Sequence, residues 1–477
     1  MPQTPKKVII VGGGITGLST AYFLQEAAKK EQRPIELLLL EADSRLGGKI
    51  TSERVDDFVI EGGPDSFITQ KKGGMALIQA LGLMDRLVQT HPVNKSVYIL
   101  SRGKLLPMPQ GFNLMVPGQL MPFALSPLIS LPGKMRMGMD LLIPKRTETA
   151  DESIASFVRR RLGEEAVQLF AEPILAGIFA GDAEKLSMKA AFPQFALLEQ
   201  KHGSLIKGML KRKKSAVQNG ASAPKWSLFV TMKDGLSSII AELKTKLDQC
   251  EIKTGAAVTA ISPLKTGYEV RTGDNRYTAD ALVITTPTYK TTDWIAPWNP
   301  GLSKLLGKIA YVSTATVSLG FRKKDINHPL NGFGFVIPRK EGSELMASTW
   351  SSTKFPGRAP KDHVLIRLFA GGAHRESILE QDDDELINTV RKELKRIMGI
   401  NAQPVVSRAF RWHKANPQYH VGHLDRVSEI EKESQKHPGL FLTGAAYRGV
   451  GIPDCIQQGM DTAEKIKLLL TKVSSPE

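Results

Sequence analysis

The strongest constraint on this chain lies in its first fifty residues. An apolar run, Lys7-Val8-Ile9-Ile10-Val11, leads into Gly12-Gly13-Gly14-Ile15-Thr16-Gly17, and a helix-forming stretch, Leu18 to Lys30, follows. A second apolar run, Leu37-Leu38-Leu39-Leu40, ends in Glu41-Ala42. Strand, glycine turn, helix, strand and acid in this order predict a βαβ unit that holds a dinucleotide. Gly12 lets the chain turn tightly, Gly14 lets a diphosphate approach the backbone, and Gly17 brings helix and strand together. The free N–H groups and dipole of the helix start attract phosphate. Glu41 could accept hydrogen bonds from a ribose diol. A glycine turn alone would be weak evidence; its setting between two apolar runs, closed by an acid, makes it strong.

Length and composition set the frame around this unit. A chain of 477 residues suggests two or three domains. Apolar content of 42% and charged content of 23% are ordinary for a soluble globular protein. The two cysteines, Cys250 and Cys455, exclude a disulfide framework and fit a reducing, cytoplasmic setting. The first strand begins almost at once, which leaves no room for a secretory signal. No apolar run reaches the roughly 18 residues of a spanning helix. The segment Leu114 to Leu131 is apolar but carries Pro117, Pro122 and Pro127. It reads as a buried helical subdomain, with peripheral contact on the inner face of a membrane as the alternative. The net charge of +16 could draw nucleic acid, anionic lipid or an acidic small molecule. No zinc ligand set, recognition-helix pattern or RNP-type aromatics accompany it, so nucleic acid is not expected. An acidic substrate or partner fits better; an excess of solvated lysines is the bland alternative.

The expected organisation is discontinuous. Residues 1–74, 225–290 and 405–477 should form the cofactor domain, 75–224 a mostly helical and conceivably membrane-associated domain, and 291–404 a substrate-binding sheet with contributions from 90–110. Helices are expected over Met75 to Leu87 and Ser153 to Phe170, the second containing the run Arg159-Arg160-Arg161. The Lys-rich stretch 207–224 reads as an exposed, mobile segment, with docking of an acidic partner as the minority reading. Ile252 to Ile261 reads as a strand with Val258 inside it. Gly449-Val450-Gly451-Ile452-Pro453-Asp454 should open a helix running to about Leu470, since Pro453 suits a first helical turn.

Four further segments carry a resemblance. Arg45-x-Gly47-Gly48-Lys49-x-Thr51 resembles the glycine-doublet motif of flavin amine oxidases, phytoene desaturases and protoporphyrinogen oxidases, which holds the FAD diphosphate. Lys49 stands where many members carry Arg, which keeps the charge but loses the bidentate fork. Glu61-Gly62-Gly63-Pro64-Asp65-Ser66-Phe67, Asn416-Pro417-Gln418-Tyr419-His420-Val421-Gly422-His423 and Gly449 through Ile456 complete the set. Together these segments resemble the bacterial oxygen-dependent porphyrinogen oxidases, in particular the Gram-positive coproporphyrinogen III oxidase type, over essentially the whole chain.

That resemblance implies an α/β with α+β fold of the p-hydroxybenzoate-hydroxylase kind. It has a discontinuous Rossmann-like FAD domain, a mixed-sheet substrate domain and a helical domain. It implies non-covalent FAD held by Gly12, Gly13, Gly14, Ile15, Thr16, Gly17, Glu41, Ala42, Gly48, Lys49, Gly62, Gly63, Pro64, Asp65, Val258, Trp412, Val450, Gly451 and Ile452. The helix start near Ile452 would offer N–H groups to the flavin edge that gains negative charge on reduction. For the substrate, the resemblance implies that Phe333 stacks on a pyrrole ring, Val336 lines the pocket, and Lys71 or Lys72 meets a propionate.

The implied reaction is oxidation of coproporphyrinogen III to coproporphyrin III by O2 with release of H2O2, in haem biosynthesis. Protoporphyrinogen IX is the alternative substrate, and a ferrochelatase is a conceivable acceptor of the product. No catalytic side chain and no metal are expected, because FAD does the chemistry. His413, His420 and His423 read as structural, and Cys455 as a buried inert thiol rather than a covalent flavin link. Two other functions stay open: an amine oxidase of the same superfamily, and a non-catalytic flavin-binding partner of a haem-pathway protein.

Overall fold

The computed structural model describes residues 5–93, 95–148, 150–218 and 225–472. Its frame is a five-stranded parallel sheet in the order Cys250–Lys253, Ile35–Leu40, Lys6–Val11, Ala281–Ile284, Leu440–Leu442. Strands covered on both faces must be apolar nearly throughout, as residues 8–11 and Ala281–Ile284 in the centre are, whereas the edge strand Cys250–Lys253 alternates. Successive side chains point to opposite faces. Val8 and Ile10 pack under the helices Ile15–Glu31, Ser237–Lys246 and Ile452–Lys472; Ile9 and Val11 pack on the other side against Ile261, Leu302 and Val427. The last helix closes on the first at Gly459, where a Cβ would sit 2.9 Å from the Thr16 carbonyl oxygen. Chain ends far apart in sequence thus meet over the glycine turn.

A second, seven-stranded sheet runs in the order Val406–Pro417, Tyr311–Arg322, His363–Gly371, Leu345–Thr349, Gly334–Val336, Val97–Ser101, Lys104–Pro107. It is mixed: Gly334–Val336 and Val97–Ser101 pair in parallel, the others antiparallel. The helix Asp383–Met398 backs it. Leu386, Val390, Leu394 and Met398 recur at four-residue spacing and are buried. A capping box between Asp382 and Glu385 starts this helix, and Gly399 in the left-handed region ends it. The strand Val406–Pro417 lies in this sheet and not in the parallel one, so the cofactor range expected from residue 405 opens on a strand of the other sheet.

Short helices between Leu120 and Gln218 form a third layer with its own core, including Phe157, Phe170, Leu175 and Phe195. The arginine run resolves into internal ion pairs: Arg159 with Glu164 (2.6 Å), Arg160 with Glu199 (2.6 Å) and Arg161 with Asp140.

Several local expectations change. The helix expected over Ser153 to Phe170 stops at Leu162, because Gly163 takes φ +93°. It resumes through a π-turn at Val167–Ala171 into Glu172–Phe179. The helix expected over Met75 to Leu87 runs instead over Lys72–Ala80, and Leu87–Gln89 is a strand. The strand expected over Ile252 to Ile261 is two strands, Cys250–Lys253 and Ala260–Pro263. Gly255, at φ +66°, turns the chain between them, and Val258 lies in the connection. The stretch expected to be mobile over 207–224 is helical through Gln218, and its remainder, 219–224, lies outside the described residues.

Candidate functional site

The glycine turn sits at the carboxyl end of the central strand. A side chain at Gly17 would run into the Gly12 carbonyl, so the helix can approach the strand only with glycine there. The helix start has no side-chain cap at Gly14 and no acid in its first turn. Its leading N–H groups are therefore free for an anion. A Cβ at Gly14 would meet nothing within 4 Å, so space opens directly above those groups. Glu41 is oriented beside the turn by two backbone N–H groups, Gly13 at 2.5 Å and Asp43 at 2.9 Å. Each carboxylate oxygen keeps a second lone pair for a ligand hydroxyl.

The second glycine pair closes on the first. Gly47 donates to the Gly13 carbonyl at 2.8 Å, and Gly14 and Gly47 form a parallel bridge. Arg45 braces the doublet from outside through the Gly48 carbonyl at 2.6 Å. Lys49 donates to the Ala415 carbonyl at 2.8 Å. Burial pushes its pKa down. Ala42 is exposed at the rim. Ala256 donates to the Glu41 carbonyl at 2.8 Å, which brings the connection bearing Val258 to the same edge.

The segment Glu61 to Ser66 is the centre of a buried charge cluster. Trp412 donates its indole N–H to the Gly62 carbonyl at 2.9 Å, and the Thr316 hydroxyl donates to the same oxygen at 2.8 Å. Arg367 donates to the Gly62 carbonyl at 3.3 Å and also to the Gly63 carbonyl. Lys354 pairs with Asp65 at 3.1 Å, and Arg358 with Glu61 at 3.2 Å. Burial alone would raise the Asp65 carboxyl, but Lys354 and Arg367 hold it well below the usual carboxylate range. Of these groups Arg367, Arg358 and Lys354 were not singled out from the sequence. Arg367 carries a signal: it interrupts the apolar strand Val364-Leu365-Ile366-Arg367-Leu368-Phe369, and an arginine inside such a strand needs a buried partner.

The turn Gly449 to Ile452 forms the remaining wall. Gly449 takes φ +120°. Among the described residues, nothing accepts from the backbone N–H groups of Val450, Gly451 or Ile452. Val450 and Val336 both pack against the helical core, which joins this turn to the mixed sheet. Phe333 is half-buried while Phe335, two residues on, fills the sheet core with Trp350. Gly332 and Gly334 are required by close backbone: a side chain at either would strike the Ser96 or Ser348 carbonyl. Lys71 has a partner within the protein. Its ammonium pairs with Asp454 at 2.5 Å, at the start of the last helix. Lys72 opens the helix Lys72–Ala80 and is exposed.

Among the described residues, no group of His, Cys, Asp and Glu could hold a metal ion. Both cysteines are buried and free, and burial pushes each thiol up, Cys250 to about 12. Open space above uncapped N–H groups, an oriented carboxylate and the N–H groups of Val450 to Ile452, unpaired among the described residues, fit a dinucleotide.

The comparisons agree with this geometry. The family model described as flavin containing amine oxidoreductase matches residues 15–467. The coproporphyrinogen III oxidase of Bacillus subtilis (strain 168) is 40% identical over 96% of this chain and 97% of its own. That of Staphylococcus aureus is 37% identical over 97% and 99%. A solved structure from Exiguobacterium sp. 255-15, provisionally named a protoporphyrinogen oxidase, superposes with a TM-score of 0.86 at 33% identity, covering 98% of this chain and 99% of that one.

Proposed function

Because the chain belongs to the flavin-containing amine oxidoreductases, in the same family as the coproporphyrinogen III oxidases, we propose that it oxidises coproporphyrinogen III to coproporphyrin III with non-covalent FAD. Each round removes two hydrogens from the macrocycle and reduces one O2 to H2O2, and three rounds reach the aromatic product. FAD supplies the hydride-accepting chemistry when bound. The observation that carries the substrate is the full-length 40% identity to a coproporphyrinogen III oxidase.

The chain's own residues bind and orient. The N–H groups after Gly14 take the diphosphate, Glu41 takes the ribose diol with Ala42 and Val258 alongside, and the Gly47-Gly48 doublet, followed by Lys49, closes over the turn. Gly62 through Asp65, held by Trp412 and Arg367, support the ring system from one side. The free N–H groups of Val450 to Ile452 offer dipoles where negative charge develops. Phe333 offers a ring face for a pyrrole and Val336 an apolar wall. Lys71 acts through Asp454, fixing the start of the last helix, and not on a propionate. No side chain is assigned as the proton acceptor.

Four carboxylates distinguish coproporphyrinogen III from protoporphyrinogen IX, and the +16 charge favours the more acidic substrate. Steady-state assays with both are expected to give at least about tenfold higher kcat/KM for coproporphyrinogen III, a difference of ~1.4 kcal/mol. Faster turnover of protoporphyrinogen IX would assign the chain to the other substrate.

The helical layer supports a peripheral location on the cytoplasmic face of a membrane. No helix among the described residues is long and apolar enough to cross one. Yet Met121, Leu125, Leu131, Met135 and Leu142 lie exposed within twenty-two residues, Leu142 at 83%. Lys134 and Lys207 sit against this stretch, on the Ala124 and Leu141 carbonyls. Apolar side chains next to cations suit an anionic bilayer surface. Sedimentation with anionic vesicles is expected to carry the protein down. The triple change Leu125→Asp, Leu131→Asp, Leu142→Asp should weaken that about tenfold without changing turnover; equal sedimentation of the variant would refute the contact.

A further inference from the structure

The motif Pro417 to His423 binds no group in the site just described, yet its side chains hold the turn that does. The Tyr419 hydroxyl donates to the Ala445 carbonyl at 2.6 Å and accepts the Gly449 N–H at 2.8 Å. His423 Nε2 donates to the Tyr447 carbonyl at 2.8 Å. A carbonyl only accepts, so this nitrogen carries the proton. Tyr419 and His423 stack face to face, with centroids 4.0 Å apart and 13° between the planes. Both are buried, Tyr419 at 2% exposure and His423 at 0%. Three contacts from two stacked rings therefore fix residues 445, 447 and 449, immediately before the unpaired N–H groups of Val450 to Ile452.

The same motif is anchored in the opposite direction by its backbone and by Gln418. Ser187 N–H donates to the Tyr419 carbonyl at 2.7 Å, and Val421 N–H to the Lys185 carbonyl at 2.9 Å. Gln418 Nε2 donates to the Phe179 carbonyl at 2.9 Å, and the Gly422 N–H to Asp151 Oδ2 at 2.9 Å. All four anchors lie in the helical layer. The motif is a bracket: one side is bonded into the helices, the other grips the turn.

We propose that Tyr419 and His423 are positioning residues, setting the direction of the Val450–Ile452 N–H groups toward the cofactor and tying that direction to the helical layer. The proposal rests on the reading that this turn faces the flavin. It deepens that reading by assigning a role to residues whose bonds run to the backbone of the turn. A rigid stacked pair suits the task, since donors must be aimed before charge develops to contribute to it.

The test compares Tyr419→Phe with wild-type holoenzyme. Phenylalanine keeps the ring and the stack but removes the hydroxyl that bonds Ala445 and Gly449. The expected result is a flavin absorbance spectrum shifted from wild type, FAD affinity weakened about tenfold, and kcat lowered about tenfold with KM within twofold. His420→Ala alters the same motif at a side chain outside the bracket and should leave all of these unchanged. His423→Gln keeps a donor for the Tyr447 carbonyl and should restore the spectrum that His423→Leu loses; this pair decides the matter if Tyr419→Phe does not fold. A Tyr419→Phe or His423→Leu holoenzyme with wild-type spectrum, affinity and kcat overturns the proposal, and so does lowered stability with an unshifted spectrum. The spectrum and the affinity need no tetrapyrrole. A wild-type protein that binds FAD but oxidises no porphyrinogen would sink the proposed reaction while leaving the bracket to be judged on flavin alone.

Discussion

Replacing Arg367 by alanine is expected to destabilise the protein by about 3–5 kcal/mol and to release most of its flavin. Arg367 is 2% exposed in the middle of an apolar strand. It donates to the Gly62 and Gly63 carbonyls and lies beside Asp65. Its removal strips the Gly63 carbonyl of its side-chain donor, takes the third donor from the Gly62 carbonyl, and deprives Asp65 of one of two cations. A buried group stripped of its partner costs far more than the pair contributes when intact. Arg367→Lys keeps charge but loses the planar fork and should fall between the two. Urea unfolding of the flavin-free protein together with FAD titration checks this. A variant within 1 kcal/mol of wild type and with normal FAD affinity would show that the cluster does not support the Gly62–Asp65 segment.

The second large effect separates binding from folding. Gly14 has φ −72° and ψ 176°, extended backbone that any residue adopts, and a Cβ there meets no protein atom within 4 Å. Gly14→Val should therefore leave the stability of the flavin-free protein within about 0.5 kcal/mol of wild type. The new side chain would fill the space over the helix start where a diphosphate must come, so FAD affinity should fall about a hundredfold, ~2.7 kcal/mol. Gly17 offers the contrast, because its missing side chain is needed by the Gly12 carbonyl and not by a ligand; Gly17→Val should damage folding itself. Unchanged FAD binding in Gly14→Val would place the diphosphate elsewhere.

The two glycines show why this part of the fold was legible. Strand, turn, helix and acid are local, and their spacing alone dictates who meets whom. The glycine doublet was legible for the same reason, and Gly47 does close on Gly13. The rest depends on contacts between distant segments. Lys71 looked like a free cation because nothing local announces Asp454, which lies 383 positions away. The expected strand through Val258 failed because one glycine with positive φ outweighed its β-branched neighbours. The long helix from Ser153 failed at Gly163 in the same way. Arg367 is the instructive omission, since the charge within an apolar strand was visible and marked a buried partner whose identity was not. Phe333 was set apart by the resemblance alone; the structure leaves it half-buried and sends Phe335, two residues on, into the core.

The account stands or falls on whether a tetrapyrrole reduces the flavin held between these segments. Anaerobic mixing of the FAD-loaded protein with coproporphyrinogen III measures that directly. The expected result is bleaching of the flavin absorbance, followed by porphyrin fluorescence and H2O2 once air is admitted. A flavin that stays oxidised under excess coproporphyrinogen III, yet bleaches with a polyamine, would contradict the assignment and make the chain an amine oxidase.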